Sequence, residues 1–250
     1  MAYFNSLRFC AVCAVLVSAV VLAGCQTVEA DAGRSATVVT RADTSEILDS
    51  GKIKDVPEKP LEVTAVVNVY DNLVTYPMPL WVNPDSPTDI IKESKHFRDQ
   101  KGPSFVLEQI PADQDFENWK QIYVVSGLYI GRDIPISKVI NTYLSGFRQA
   151  CMKRDVKFYQ VKSPENTIVA FCEKFYSATG LQGTMKDHGE VMVRRHFMSG
   201  GAIISVTYEW RGPAFNYADD STWPVSEAEI KKVLKRFETI SVSHVGKVSG

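Results

Sequence analysis

The chain has 250 residues, 45% of them hydrophobic and 23% charged, with a formal net charge of −1. This composition excludes a disordered or collagen-like chain, and the balanced charge excludes an overall basic field for nucleic acid or an acidic tail. The length admits one large domain or two small ones, either with enough chain to bury a core.

The N-terminal segment reads as an address. One cation, Arg8, precedes 15 uncharged, largely apolar residues from Phe9 to Ala23. Such a run is short for a transmembrane helix and suits the h-region of an export signal. It ends in Leu22-Ala23-Gly24-Cys25, which closely resembles the lipobox of bacterial lipoproteins. The resemblance implies that residues 1–24 are a signal peptide, cut before Cys25. The cysteine would then carry a diacylglyceryl group on its thiol and an acyl chain such as palmitate on its amine. At roughly 0.8 kcal/mol per buried CH₂, several chains on one residue give stable anchoring. A plain secretory signal, or a membrane helix ending in cysteine, is the alternative. Gln26 stands where aspartate would favour the inner membrane in enterobacteria-like sorting, which points to the outer membrane, facing the periplasm. Cleavage removes a single charge, Arg8, and leaves 27 cations against 29 anions.

Residues 25–60 follow as a lipidated tether. From Gln26 to Pro60 there is no aromatic residue and only 11 hydrophobic ones, in no periodic pattern. A coil of this length spans on the order of 30 Å, enough to clear the lipid headgroups.

A folded domain is predicted over residues 61–244, with 245–250 as a tail. Leu61 to Val69 alternates apolar and polar residues as a half-buried strand does, and Asp71-Asn72 signals a turn before a strand at Leu73–Tyr76. Ser86-Pro87 with Asp89 opens a helical pattern toward Phe97. Ser104–Ile110 and Lys120–Ile130 read as strands. Ile136, Val139, Ile140, Tyr143, Leu144, Phe147 and Cys151 form one apolar stripe, which predicts a helix over Ile136–Lys153. Strands follow at Val156–Val161, Thr167–Tyr176, Glu190–Met198 and Ala202–Trp210, with Gly200-Gly201 as a tight hairpin turn between the last two. Ser226 and Glu229 form a capping box for a final helix burying Ile230, Val233, Leu234 and Phe237. Runs of strands with helices between and after them predict an α+β class, a single mostly antiparallel sheet flanked by helices.

The order of these segments carries a second resemblance. Tyr76-Pro-Met-Pro-Leu-Trp81, the strand around Phe105-Val-Leu-Glu108, Ile110-Pro111 and Glu117-Asn-Trp119 precede an amphipathic helix, a meander and a C-terminal helix. Together they resemble the PsbP-like (Mog/PsbP) fold over residues 61–244. The resemblance implies an antiparallel sheet sandwiched by helices, and a binding or assembly module in place of an enzyme.

Of the five cysteines, Cys10 and Cys13 leave with the signal and Cys25 is acylated. Cys151 and Cys172 remain, and two thiols in an oxidising compartment predict one disulfide. Cys151 closes the buried stripe of the long helix, and Cys172 shares a strand face with Ile168 and Ala170. If that face meets the helix the bridge forms; if Val169, Phe171 and Phe175 face it, both cysteines stay as buried thiols.

Motifs for chemistry are sparse. The histidines, His96, His188, His196 and His244, match no zinc spacing. A weak metal alternative combines His188, Glu190 and His196; the competing reading is a turn histidine and a half-buried strand histidine. There is no G-x-S-x-G elbow and no phosphate loop. Lys231, Lys232, Lys235 and Arg236 form a solvated helix face. The segment from Tyr208 to Trp223 places Tyr208, Trp210, Phe215, Tyr217 and Trp223 around Asp219 and Asp220. Flat rings rimmed by acids fit a docking loop for a partner or ligand, and equally a plug for the open end of the sheet. The sequence therefore predicts a non-enzymatic envelope lipoprotein with no cofactor, attached to the membrane by its lipid. It would bind an envelope protein or small ligand and no nucleic acid. A small metal-dependent or hydrolytic periplasmic enzyme is the alternative.

Overall fold

The computed structural model describes residues 64–83, 90–151, 156–175 and 188–246. The predicted signal peptide, Cys25, the predicted tether and Leu61–Val63 lie outside the described residues. Among the described residues, ten strands and two long helices run in the order β1 (Thr64–Val69), β2 (Asn72–Pro77), β3 (Ser94–Lys101), β4 (Ser104–Pro111), β5 (Gln121–Tyr129), α1 (Ile136–Ala150), β6 (Lys157–Val161), β7 (Thr167–Cys172), β8 (His188–Ser199), β9 (Ala202–Pro213), α2 (Glu227–Phe237) and β10 (Ser241–His244). Among the described residues no helix is long and apolar enough to cross a membrane.

Pairing is antiparallel throughout, as expected, but the strands form two sheets where one was predicted. The large sheet has seven strands in the order β3-β4-β5-β9-β8-β7-β6; the small one is β1-β2-β10. Its third strand comes from the C-terminus. After α2 the chain runs Ser241–His244 back along Thr75–Asn72, a non-local pairing for which four residues carry no periodic signal. Val245, expected to begin the tail, donates its backbone N–H to Asp71 O at 2.8 Å.

The β1–β2 turn is made by Tyr70 and Asp71, both with positive φ (51° and 60°), as a two-residue turn matched to strand twist requires. Asn72, read from sequence as part of the turn, opens β2 instead. Its buried amide donates to Val69 O (3.1 Å), Tyr70 O (2.8 Å) and Ser199 O (3.3 Å), tying the hairpin to the end of β8. Gly127 on β5 leaves the space that Val69 and Tyr70 fill; a Cβ there would collide with the Val69 side chain. The two sheets thus close on each other through a residue without a side chain.

One face of the large sheet packs on the small sheet and α2. Tyr123, Val125, Phe171, Val193, Ile204, Val206, Tyr208 and Trp210 from the large sheet meet Val67, Val74 and Tyr76 from the small one, with Ile230, Val233 and Phe237 from α2. The predicted capping box holds α2: Ser226 Oγ accepts from Glu229 N at 3.3 Å, and Glu229 Oε2 accepts from Ser226 N at 3.4 Å. Its far end is held by Arg195, which donates to the carbonyls of Phe237 and Ile240. On the opposite face, Ile140, Tyr143, Leu144 and Phe147 of α1 cover Ile168, Ala170 and Cys172 of β7 and Met192 of β8.

The predicted helix toward Phe97 does not form. Its Ser86–Asp89 start lies outside the described residues, Ile90–Glu93 makes a single helical turn, and Ser94–Lys101 pairs with β4 as an edge strand. Its mostly charged, exposed residues are those that keep an edge from pairing with other chains.

Candidate functional site

Strand alternation places unusual chemistry on the α1 side of the large sheet. On β8 that face carries Glu190, Met192, Arg194 and His196; on β9 it carries Ser205, Thr207, Glu209 and Arg211. Register joins them in rows: His196 with Ser205 and Ser126, Arg194 with Thr207, Val124 and Glu108, and Glu190 with Arg211. Seven of these are buried polar groups, with Glu190, His196, Thr207 and Glu209 each 3% exposed or less.

At one end, Arg211 donates from Nε (2.8 Å) and Nη2 (2.7 Å) to Glu190 Oε1, and the guanidinium carbon sits 3.6 Å from the centre of the Trp119 ring. His188 Nε2 reaches the same oxygen at 3.3 Å, and its ring stacks on Phe175. Burial pushes the Glu190 carboxyl up, but the charge of Arg211 and the contact with His188 outweigh it and hold Glu190 below the usual carboxylate range. Next along, burial raises the Glu209 carboxyl, the negative charge of Glu190 adds to this, and together they push it up to about 8 against the opposing pull of Arg194 and Arg211. Glu209 is therefore largely protonated at neutral pH.

At the other end, Arg194 reaches across the sheet. Its Nη2 donates to Ser126 Oγ at 3.2 Å, and its guanidinium lies 4.0 Å from the centre of the Tyr143 ring of α1. The Tyr143 hydroxyl donates to Met192 Sδ at 2.8 Å. His196 Nδ1 lies 3.0 Å from Ser205 Oγ. Burial, and then the Arg194 charge, hold the imidazole well below its ordinary range, so it is neutral. The Ser205–His196 pair is sealed, each residue 2% exposed or less.

No family model, curated protein or solved structure matches the chain.

The residues singled out from sequence are redistributed. His188 and Glu190 do meet, but His196 lies six positions along the same strand, roughly 20 Å away at about 3.3 Å per residue. The three do not converge, and among the described residues no group of His, Cys, Asp or Glu is placed to hold a metal ion. Tyr208 and Trp210 are 1% and 2% exposed, on the face toward α2. Phe215 is buried against Gly189. Tyr217 and Trp223 stack on each other (centroids 5.7 Å apart) and both pack on Phe171. Asp219 caps a 3₁₀ turn, accepting from Ser221 N (3.2 Å) and Ser221 Oγ (2.7 Å), and Asp220 is exposed. The segment therefore plugs the end of the sheet. A docking surface built on Tyr208, Trp210 and Phe215 is excluded by their burial.

Cys151 and Cys172 are brought together. Their Cα atoms are 5.7 Å apart and the sulfurs lie within disulfide reach, because Ile168, Ala170 and Cys172 do face α1. The helix stops at Ala150, and Cys151 turns extended to form a bridge with Phe175.

Sequence reasoning missed the polar rows. The signal was present in the alternation of Glu190, Arg194 and His196 followed by Ser205, Thr207, Glu209 and Arg211. Taken alone, it reads as a solvent-facing side.

Proposed function

We propose that the chain is a lipid-anchored lipoprotein of the bacterial envelope, held on the outer membrane through Cys25, whose domain acts as a binding or assembly module. The observation that carries this reading is Leu22-Ala23-Gly24-Cys25 after an uncharged run of export-signal length. Two further features support it. Cys151 and Cys172, the two cysteines left after processing and acylation, lie at disulfide-bonding distance in the core, which suits an oxidising compartment. The large antiparallel sheet with a helix on each face is one part of the layering that the PsbP-like resemblance implies, although a second, three-stranded sheet lies beside it. A binding role is favoured over catalysis because the densest polar cluster is a ladder of buried, mutually neutralising groups, with its Ser–His pair closed to solvent.

The test is processing in a bacterial host. Wild-type protein is expected to mature and to partition with the outer membrane, whereas Cys25→Ala accumulates as uncut precursor, as does wild type treated with a globomycin-type inhibitor. Normal maturation of Cys25→Ala contradicts the reading.

A further inference from the structure

The large sheet ends in β3 on one side and β6 on the other, and the two edges are finished differently. β3 is guarded: Lys95, His96, Arg98, Asp99 and Lys101 stand exposed along it, which discourages pairing with another chain. β6 carries no such guard. Lys157–Val161 pairs with β7 on one side only, and four of its five residues are exposed. Two adjacent rings stand among them, Phe158 at 37% and Tyr159 at 43% exposure. Phe158 lies opposite Ala170, on the α1 side of the sheet, and Tyr159 opposite Val169, on the α2 side. Alternate residues of an antiparallel edge strand turn both N–H and C=O outward. β6 therefore offers a row of backbone donors and acceptors with an aromatic ring on either face, a template for one more strand.

Charge selects the strand that fits. α1 contains no acidic residue, and the guanidinium carbon of its Arg148 lies 4.7 Å from the centre of the Phe158 ring. Lys157 opens β6 and Lys162 follows it; both are exposed, and neither is ion-paired among the described residues. The carboxylates around this edge are engaged elsewhere. Glu227 pairs with Lys231 at 2.8 Å, Glu173 accepts from Tyr217 N at 2.7 Å, and Glu165 and Glu238 lie in the field of Arg195. In sequence, Lys153-Arg154-Asp155 just ahead of β6 is net positive as well. A second copy paired β6 to β6 would bring Arg148, Lys157 and Lys162 of both copies to one seam, so the chain does not complement itself here. An anionic lipid surface would answer the charge but not the repeating row of backbone donors and acceptors. An extended segment carrying acids answers both.

We propose that the β6 edge binds an extended acidic segment of a partner protein by strand addition. The backbone of the segment pairs with Lys157–Val161, its carboxylates meet Arg148, Lys157 and Lys162, and its apolar side chains lie on the Phe158 and Tyr159 rings. Main-chain bonds supply the affinity and the alternate side chains the specificity. This assignment rests on the binding-module reading and names the class of its partner.

The test titrates full-length protein in non-ionic detergent with a short fluorescent peptide that alternates glutamate and valine, followed by anisotropy and by backbone amide exchange. The peptide is expected to bind saturably and to slow exchange within Lys157–Val161. The same peptide with lysine in place of glutamate is expected to bind about tenfold more weakly. A glutamate peptide with alternate backbone nitrogens methylated is expected not to bind, since it cannot donate to the edge. Lys157→Glu with Lys162→Glu, both at exposed positions, is expected to reverse the preference between the glutamate and lysine peptides, a gain that a misfolded protein would not show. The proposal is overturned if folded wild type does not bind the glutamate peptide, if the methylated peptide binds as well, or if the double variant keeps the wild-type preference. It is equally overturned if the β6 amides are already protected in a dimer of the free protein, or are protected by phosphatidylglycerol vesicles and not by peptide. Processing at Cys25 is scored in the same preparations, so loss of the partner assignment and loss of the envelope reading are told apart.

Discussion

Glu190 and Arg211 face each other across β8 and β9, and both guanidinium contacts, 2.8 Å from Nε and 2.7 Å from Nη2, fall on the same carboxylate oxygen. The Glu190 side chain is 2% exposed and that of Arg211 17%, so the pair works in a medium where an uncompensated charge is costly. Removing one partner from such a pair costs about 3 kcal/mol or more, whereas replacing both with apolar residues of similar size is close to neutral. Arg211→Met is therefore expected to lower unfolding free energy by about 3 kcal/mol, and Glu190→Met with Arg211→Met to recover most of it. Urea unfolding of the three proteins checks this; equal loss in the single and double variants would show that packing of Arg211 on Trp119, and not charge, is what matters.

Glu209 gives a pH dependence of definite sign. Its folded-state value, about 8, lies above the ordinary 4.5. Between those limits the folded state holds a proton that the unfolded state has released, so its contribution falls as pH rises and levels off above about 8. Glu190 acts in the opposite sense: held below its ordinary range, it supports the fold above that range and is lost in acid. Glu209→Gln is expected to flatten the decline between pH 5 and 8 while leaving the acid limb unchanged. Denaturant midpoints across that interval measure it, and parallel curves for variant and wild type would contradict the assignment.

Cys151 and Cys172 are separated by 21 positions. In the chain-entropy model, a loop of that size stabilises by about 3 kcal/mol. Intact-mass analysis of denatured, unreduced protein is expected to find neither thiol available to alkylation, and reduction is expected to lower the melting temperature by several degrees. Two alkylated thiols without reductant would mean that the pair stays reduced.

The ring cluster over the sheet end makes the fourth prediction. Trp223 packs on Phe171 at 4.6 Å between centroids, and its indole N–H donates to Tyr217 O at 3.2 Å. Trp223→Ala is expected to cost about 2 kcal/mol, below the range for fully buried rings because Trp223 is only half-buried. Asp220→Ala, on an exposed residue of the same segment, is expected to change stability by less than about 0.5 kcal/mol. A Trp223→Ala protein as stable as wild type would return the segment to the class of docking loops.

What could be read from sequence followed the strength of local signals. Ala65, Val67 and Val69 are buried on β1 as their alternation requires, Gly200 and Gly201 turn with positive φ (57° and 75°), and Ser226 and Glu229 cap α2. The disulfide partners were legible because a helix stripe and a strand face each pointed one cysteine inward. β3 was not, since Phe97 is its only large apolar residue, and an edge strand with charged faces has no hydrophobic period. β10 was not, because its four residues gain strand structure only by pairing with β2. The polar rows failed for a different reason. Period two puts Glu190, Arg194 and His196 on one face, but only the packing of α1 shows that this face is covered.

The central claim is anchoring through Cys25, and the mass of the mature N-terminus tests it most directly. Protein extracted from membranes is expected to begin at Cys25, its N-terminal peptide carrying a diacylglyceryl group and an additional acyl chain. An N-terminal peptide that begins upstream of Cys25, or begins at Cys25 without lipid, would contradict the account.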